Sequence, residues 1–292
     1  MKYLYDYAVI GGDMRQVYLV EQLSLSPVRI GYCSLCDKPN LNHCSADAFL
    51  APVDDPEQLF WLSSCIICPV PVFQHIAGRN LSSEFFLSHL KAGQSFFGGC
   101  IPPDFQSALK EKGVFVFDLM ADSSLSCFNS IATAEGAICE AIRQSPVNLH
   151  KSHCAVLGYG KCGSTLSHYL KGMFCRLSVI SDSEKELAQA ALIADRIGTL
   201  KDFETYAGDF DYIFNTIPAV VITSDLLLKM KSTVVITDIS SAPGGVDFSS
   251  AEKLGIHAFL CPGLPGKYAP ASSAKAIKET IEKIRKENPT CL

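Results

Sequence analysis

The stretch Cys154-Ala-Val-Leu157-Gly158-Tyr159-Gly160-Lys161-Cys162-Gly163-Ser-Thr-Leu166 decides the fold. A short apolar run, Ala155 to Leu157, ends at a G-x-G-x-x-G spacing and passes into Leu166, Tyr169 and Leu170 at helical intervals. That order reads as strand, tight turn and helix, the context in which this spacing binds a dinucleotide. Gly158 lets the chain turn, Gly160 lets the backbone approach a pyrophosphate, and Gly163 lets the helix start pack on the strand. Phosphates would sit on the unpaired N–H groups at the positive end of the helix. The spacing also occurs in turns that bind nothing, so the flanking strand and helix carry the reading.

Outward from this turn the chain alternates. Downstream, Leu177–Ile180, Tyr212–Asn215, Val234–Asp238 and Ala258–Leu260 read as strands. The segments 184–194, 225–230 and 249–254 between them read as helices, and residues 274–286 as a final helix with room to pack on the first domain. Upstream, Tyr7-Ala-Val-Ile-Gly11-Gly12-Asp13 is a second strand-to-glycine-to-helix unit, followed by strands at 28–32, 65–70 and 114–117 and a helix at 82–91. Strands alternating with helices mean parallel sheets covered on both faces. The expected architecture is α/β: two Rossmann-like, doubly wound parallel-sheet domains joined by a long helix. The expected divisions are 1–128, a linking segment 129–150 whose residues Asn129 to Arg143 read as one helix, a nucleotide domain at 151–268, and 269–292 returning to the first domain.

A length of 292 residues suits two domains. The net charge of −5, with no clustered Lys or Arg, gives no sign of nucleic-acid binding. No apolar run approaches the ~18 residues of a membrane span, and Asp6 interrupts residues 1–10 as a signal peptide. A cytoplasmic chain is expected. Thirteen cysteines, an odd number within apolar segments, read as reduced thiols. The pairs Cys33/Cys36 and Cys65/Cys68 have zinc-ligand spacing. However, the second pair lies in an apparent buried strand, where its sulfurs would face opposite sides, so no metal is expected.

Six motifs appear in order: Gly11-Gly12-Asp13-Met-Arg15-Gln16, Asn129-Ser130-Ile-Ala-Thr133-Ala-Glu135-Gly136, the Gly158 turn, Asn215-Thr216-Ile217-Pro218, Asp238 to Phe248, and Pro262-Gly263-Leu-Pro265-Gly266 to Pro270. As a set they resemble the family of dipicolinate synthase A subunits from endospore-forming bacteria, over almost the whole chain. The likeness is loosest between Cys33 and Phe117. Ala132 stands where the family usually has proline, and residues 271–274 depart from a Thr-Ala-Gly-like continuation.

The resemblance implies an oxidoreductase of the sporulating mother cell that converts dihydrodipicolinate to dipicolinate with a nicotinamide cofactor. It also implies a heteromeric complex with a B subunit resembling flavoproteins, FMN being expected there and not on this chain. A homo-oligomer is a further possibility. Two other readings stand beside it: a nucleotide-binding scaffold whose partner performs the redox step, and a dehydrogenase of the alanine or 2-hydroxy acid type. The last lacks its expected histidine, since His150, His153, His168 and His257 all read as surface positions.

Removing a hydride from a dihydropyridine leaves an aromatic ring, and a proton must leave as well. Glu135 and Asp13 are the candidate proton acceptors. Asp13 reads first as the N-cap of its helix, and Glu135 as a solvated first-turn carboxylate. For the two substrate carboxylates, Arg15 offers a bidentate fork, Arg79 a weaker alternative, and Asn129, Ser130 and Thr133 an anion site at a helix start. Cofactor contacts are expected from Gly158, Tyr159, Gly160, Lys161, Cys162 and Gly163, from Asn215, Thr216, Ile217 and Pro218, and from Gly263 and Pro265. Cofactor choice rests on the end of the second nucleotide-domain strand, Ser181-Asp182-Ser183. An acidic residue there accepts from the ribose of NAD, whereas the family typically carries arginine at the place of Asp182, implying NADP. The resemblance tips the expectation to NADP, with NAD as the alternative.

Overall fold

A computed structural model describes residues 3–73 and 81–288. The chain divides into two compact units, residues 1–128 with 269–292, and residues 129–268. Each contains one six-stranded, all-parallel sheet with helices on its faces.

The first unit holds β1 (Tyr7–Ile10), β2 (Arg29–Cys33), β3 (Phe49–Pro52), β4 (Cys65–Ile67), β5 (Ser95–Gly98) and β6 (Phe115–Asp118). Their order across the sheet is β3-β2-β1-β4-β5-β6. The second unit holds β7 (His153–Leu157), β8 (Arg176–Ile180), β9 (Arg196–Gly198), β10 (Tyr212–Asn215), β11 (Val235–Asp238) and β12 (His257–Leu260). It repeats the same winding as β9-β8-β7-β10-β11-β12. This order reverses direction beside β1 and β7, and a reversal of that kind opens a crevice at the carboxyl ends of the strands. The two-fold Rossmann-like architecture expected from the sequence is therefore present.

The central strands show why the chain winds this way. Ala8 and Ile10 enter one apolar cluster while Tyr7 and Val9 enter the other, so β1 is apolar on both faces. In β7, Cys154 and Val156 face one core and Ala155 and Leu157 the opposite one. A parallel strand covered on both sides needs such a continuous apolar run. In the first unit, the helix Pro270–Glu287 lays Ala274, Ile277 and Ile281 against Leu19, Val20 and Leu23 of the helix Met14–Ser24.

The long helix differs from expectation. It spans Ser123–Arg143, beginning six residues before Asn129 and ending at Arg143 as read from the sequence. Asp122 sets the start, its side chain accepting from Leu125 N–H at 2.8 Å and its carbonyl from Ser126 N–H at 3.0 Å. The Ser145-Pro146 sequence follows the end, where proline does not continue a helix. Pro262 and Gly263 form a turn into the short helix Leu264–Tyr268. Among the described residues no helix is long and apolar enough to cross a membrane.

Candidate functional site

In the second unit the site grows from the carboxyl end of β7. Gly158 leaves the strand at φ +87°, its N–H donating to Ile180 O at 2.8 Å, and a Cβ there would fall 2.4 Å from Thr216 Oγ1. A Cβ on Gly163 would fall 2.2 Å from the carbonyl oxygen of Gly158, so the helix Lys161–Gly172 starts directly against the turn. Gly160 is different. Its φ of −70° suits any residue, and no atom lies within 4 Å of the place a Cβ would take. Two of the three glycines are thus demanded by the fold, and the third is demanded by nothing the chain itself puts there.

Gly160 caps that helix with no side chain, and the first helical bond runs from Ser164 N–H to Gly160 O. The N–H groups of the first turn, Lys161 to Gly163, therefore point outward at the positive helix end. Lys161 is exposed and Cys162 half-buried, its thiol pushed up by burial against the opposing effect of Lys161.

The segment after β10 walls this turn. Thr216 donates through both N–H and Oγ1 to Leu157 O at 2.9 Å. Asn215, fully buried, donates from Nδ2 to Ile217 O at 3.0 Å and to Asp238 Oδ1 at 3.1 Å, and accepts from Ile217 N–H. Asp238 also accepts from Ser240 N–H at 2.9 Å and Gly245 N–H at 2.6 Å. The structure thus brings Gly158, Gly163, Asn215, Thr216 and Ile217 together. Gly263, at φ +68°, and half-buried Pro265 lie at the turn into the helix Leu264–Tyr268, whose Leu264 belongs to the core.

At the end of β8 the roles fall differently from the sequence expectation. Asp182 is exposed and its Oδ1 accepts from Leu200 N–H at 3.0 Å, at the first residue of the helix Leu200–Tyr206. Ser181 is buried and donates its hydroxyl to Glu186 Oε2 at 2.6 Å. The same oxygen accepts from Tyr159 N–H, in the glycine turn, at 3.1 Å. Glu186 was not among the residues singled out from the sequence. Ser183-Glu-Lys-Glu186 has the S-x-x-E spacing of a capping box, which hides a side chain directed elsewhere.

The anion site expected at a helix start is not there. Asn129, Ser130 and Thr133 lie inside the helix Ser123–Arg143, where backbone N–H groups serve the helix. Thr133 Oγ1 donates to Asn129 O at 2.8 Å, and Ser130 Oγ meets Thr165 Oγ1 at 2.8 Å. Glu135 is likewise mid-helix and exposed, accepting from the Tyr169 hydroxyl at 3.0 Å. Burial first, and then Glu135, raises the Tyr169 pKa.

In the first unit, Asp13 is the N-cap of the helix Met14–Ser24, accepting from Arg15 N–H at 3.0 Å. The buried Arg15 guanidinium turns back on the same carboxylate, Nη2 to Oδ2 at 2.7 Å and Nε to Oδ1 at 2.9 Å, and donates to Val70 O at 2.8 Å. Its fork is spent on Asp13. Arg79 lies outside the described residues. Cys65 and Cys68 fall in apolar clusters on opposite faces of the sheet, and burial pushes the Cys65 thiol up to about 12. His150, His168 and His257 are exposed, and His153 is half-buried with Arg176 Nη1 2.9 Å from its Nε2.

Fold and glycine turn together define a scaffold of two Rossmann-like units, one of them carrying a complete G-x-G-x-x-G turn between strand and helix. Residues 6–120 match the family described as the N-terminal domain of the dipicolinate synthase A subunit, and the chain as a whole is similar to that protein. It is 29% identical to the dipicolinate synthase A subunit of Bacillus subtilis (strain 168), over 96% of this chain and 95% of that protein. The crystal structure of the dipicolinate synthase A subunit from Bacillus halodurans superposes with a TM-score of 0.81 at 26% identity, covering 97% of this chain and 98% of that one. A transhydrogenase from Sinorhizobium meliloti shares the fold at a TM-score of 0.69 and 14% identity, over 96% of this chain and 90% of that one.

Proposed function

We propose that this chain is an oxidoreductase subunit that binds a nicotinamide dinucleotide on the Gly158–Gly163 turn and takes part in oxidising dihydrodipicolinate to dipicolinate. The observation that carries the reading is the turn at Gly160, whose ordinary φ and empty surroundings keep the start of the helix Lys161–Gly172 open to the close approach of a pyrophosphate. The likeness to the dipicolinate synthase A subunit supports the substrate, and the designation of that relative as one subunit of a synthase supports a partner subunit; the partner proposed here is a flavoprotein-like B subunit carrying FMN.

A bound oxidised nicotinamide supplies the hydride acceptor. The first-turn N–H groups of Lys161 to Gly163 receive the pyrophosphate, and Thr216 and Ile217 wall the turn. In the first unit, a substrate carboxylate competes with Asp13 for the Arg15 guanidinium. Asp13 in the first unit and Glu135 in the second are the candidate acceptors for the proton lost in the oxidation.

The test is to measure reduced nicotinamide formed from dihydrodipicolinate, with and without a flavoprotein partner. Formation that needs Gly160 and proceeds on this chain supports the proposal. Dinucleotide binding without turnover in either mixture refutes the redox role.

A further inference from the structure

Glu186 occupies the N3 position of the helix Glu184–Ala190, with Ser183 as the N-cap. In a capping box, the carboxylate at N3 returns to the N-cap N–H. Here Ser183 N–H donates to Ser181 Oγ at 3.1 Å instead, and Glu186 keeps only the backbone half of the box, its N–H lying 3.4 Å from Ser183 Oγ. Its carboxylate has left the helix end and crossed to the glycine turn. One oxygen, Oε2, is fixed there by Tyr159 N–H and by the hydroxyl of buried Ser181. Oε1 accepts no hydrogen bond among the described residues, although a carboxylate oxygen has room for two.

This is the corner between the carboxyl ends of β7 and β8, and in such sheets the ribose acceptor comes from the end of the second strand. Asp182 sits at that strand end, but it is exposed and its Oδ1 is turned to Leu200 N–H, ahead of the helix Leu200–Tyr206, whereas Glu186 is anchored on the glycine turn itself. We infer that Glu186 is the cofactor-selecting residue of this chain: its anchored carboxylate accepts from the hydroxyls of the adenosine ribose and disfavours a 2′-phosphate, so that NAD binds in preference to NADP. The inference rests on the dinucleotide reading proposed above. A 2′-phosphate brought to this corner would meet a carboxylate already holding the N–H and O–H donors that a phosphate needs.

The test is a fluorescence titration of the full chain with NADH and with NADPH, for wild type, Glu186→Gln, Ser181→Ala and Asp182→Asn. Wild type is expected to bind NADH at least about tenfold tighter than NADPH, and Glu186→Gln to shrink that ratio by about tenfold. Ser181→Ala frees the carboxylate without removing its charge, so NADH affinity should fall while NADPH gains nothing. It serves also as a second arm should Glu186→Gln melt early. A wild type that prefers NADPH, or a ratio moved by Asp182→Asn and not by Glu186→Gln, overturns the inference while leaving dinucleotide binding intact. Binding of neither dinucleotide overturns the underlying reading, and this inference with it.

Discussion

Arg15 and Asp13, two residues apart, form a closed pair in which both carboxylate oxygens face one guanidinium at 2.7 to 3.1 Å. The carboxylate also caps the helix that carries its partner. A charge pair with one member buried and the other a third exposed is costly to break from one side only. Arg15→Ala should destabilise the chain by about 1–3 kcal/mol in urea unfolding, and a double-mutant cycle with Asp13→Asn should return a coupling of about 1 kcal/mol. On the stable fraction, the substrate role proposed for Arg15 requires KM for the dicarboxylate to rise far more than KM for the cofactor. Equal rises would leave the residue a purely structural one.

Gly160→Val separates ligand from fold. Because nothing lies within 4 Å of the added Cβ, the melting temperature should stay close to that of wild type. Dinucleotide affinity should fall by more than about 100-fold, since the side chain fills the space a pyrophosphate needs. Calorimetry showing unchanged affinity in a folded variant would remove the turn from the site.

Gly163→Ala should behave in the opposite way. Its Cβ would sit 2.2 Å from the Gly158 carbonyl oxygen, a backbone atom with little freedom to yield. We expect a loss of about 1–3 kcal/mol in stability, read as a lower thermal midpoint before any ligand is added. An unchanged midpoint would show that the turn relaxes more readily than its packing suggests.

Glu140 gives a pH signature. Hydrogen bonding from Lys267 holds its carboxyl below the ordinary value. A depressed folded-state pKa contributes stability above the unfolded pKa and loses it as pH falls through the folded one. The wild-type midpoint should therefore drop as pH falls from about 5 through and below the ordinary carboxylate range near 4.3. Glu140→Gln should start lower and lose less across the same window. Parallel curves for the two proteins would show that the pair contributes no pH dependence.

The architecture was readable because β1 and β7 are unbroken apolar runs that end in glycine, a pattern few other local structures share. Between residues 33 and 117 the signal weakens for a physical reason. β3 is a half-exposed edge strand ending at Pro52, and β5 has only two apolar residues, Phe96 and Phe97, between Ser95 and Gly98, so neither presents an apolar run like that of β1. The start of the long helix is hidden in the sequence because its cap, Asp122, precedes a polar first turn, and the apolar rhythm begins only later. Arg15 looked available because a sequence cannot show a side chain folding back two residues onto its own helix cap. Glu186 escaped notice for the converse reason: its spacing satisfies a familiar helix-end pattern that its carboxylate then abandons for Tyr159.

The helix Pro270–Glu287 carries one consequence for biogenesis. It completes the apolar cluster beneath Leu19, Val20 and Leu23, yet the ribosome delivers it only after all of residues 129–268. The second unit, continuous in the chain, is able to close its core during synthesis, while the first waits with an uncovered apolar face. The order of maturation is thus inverted relative to the order of translation, and the early-made half is the one exposed to chaperones and to aggregation.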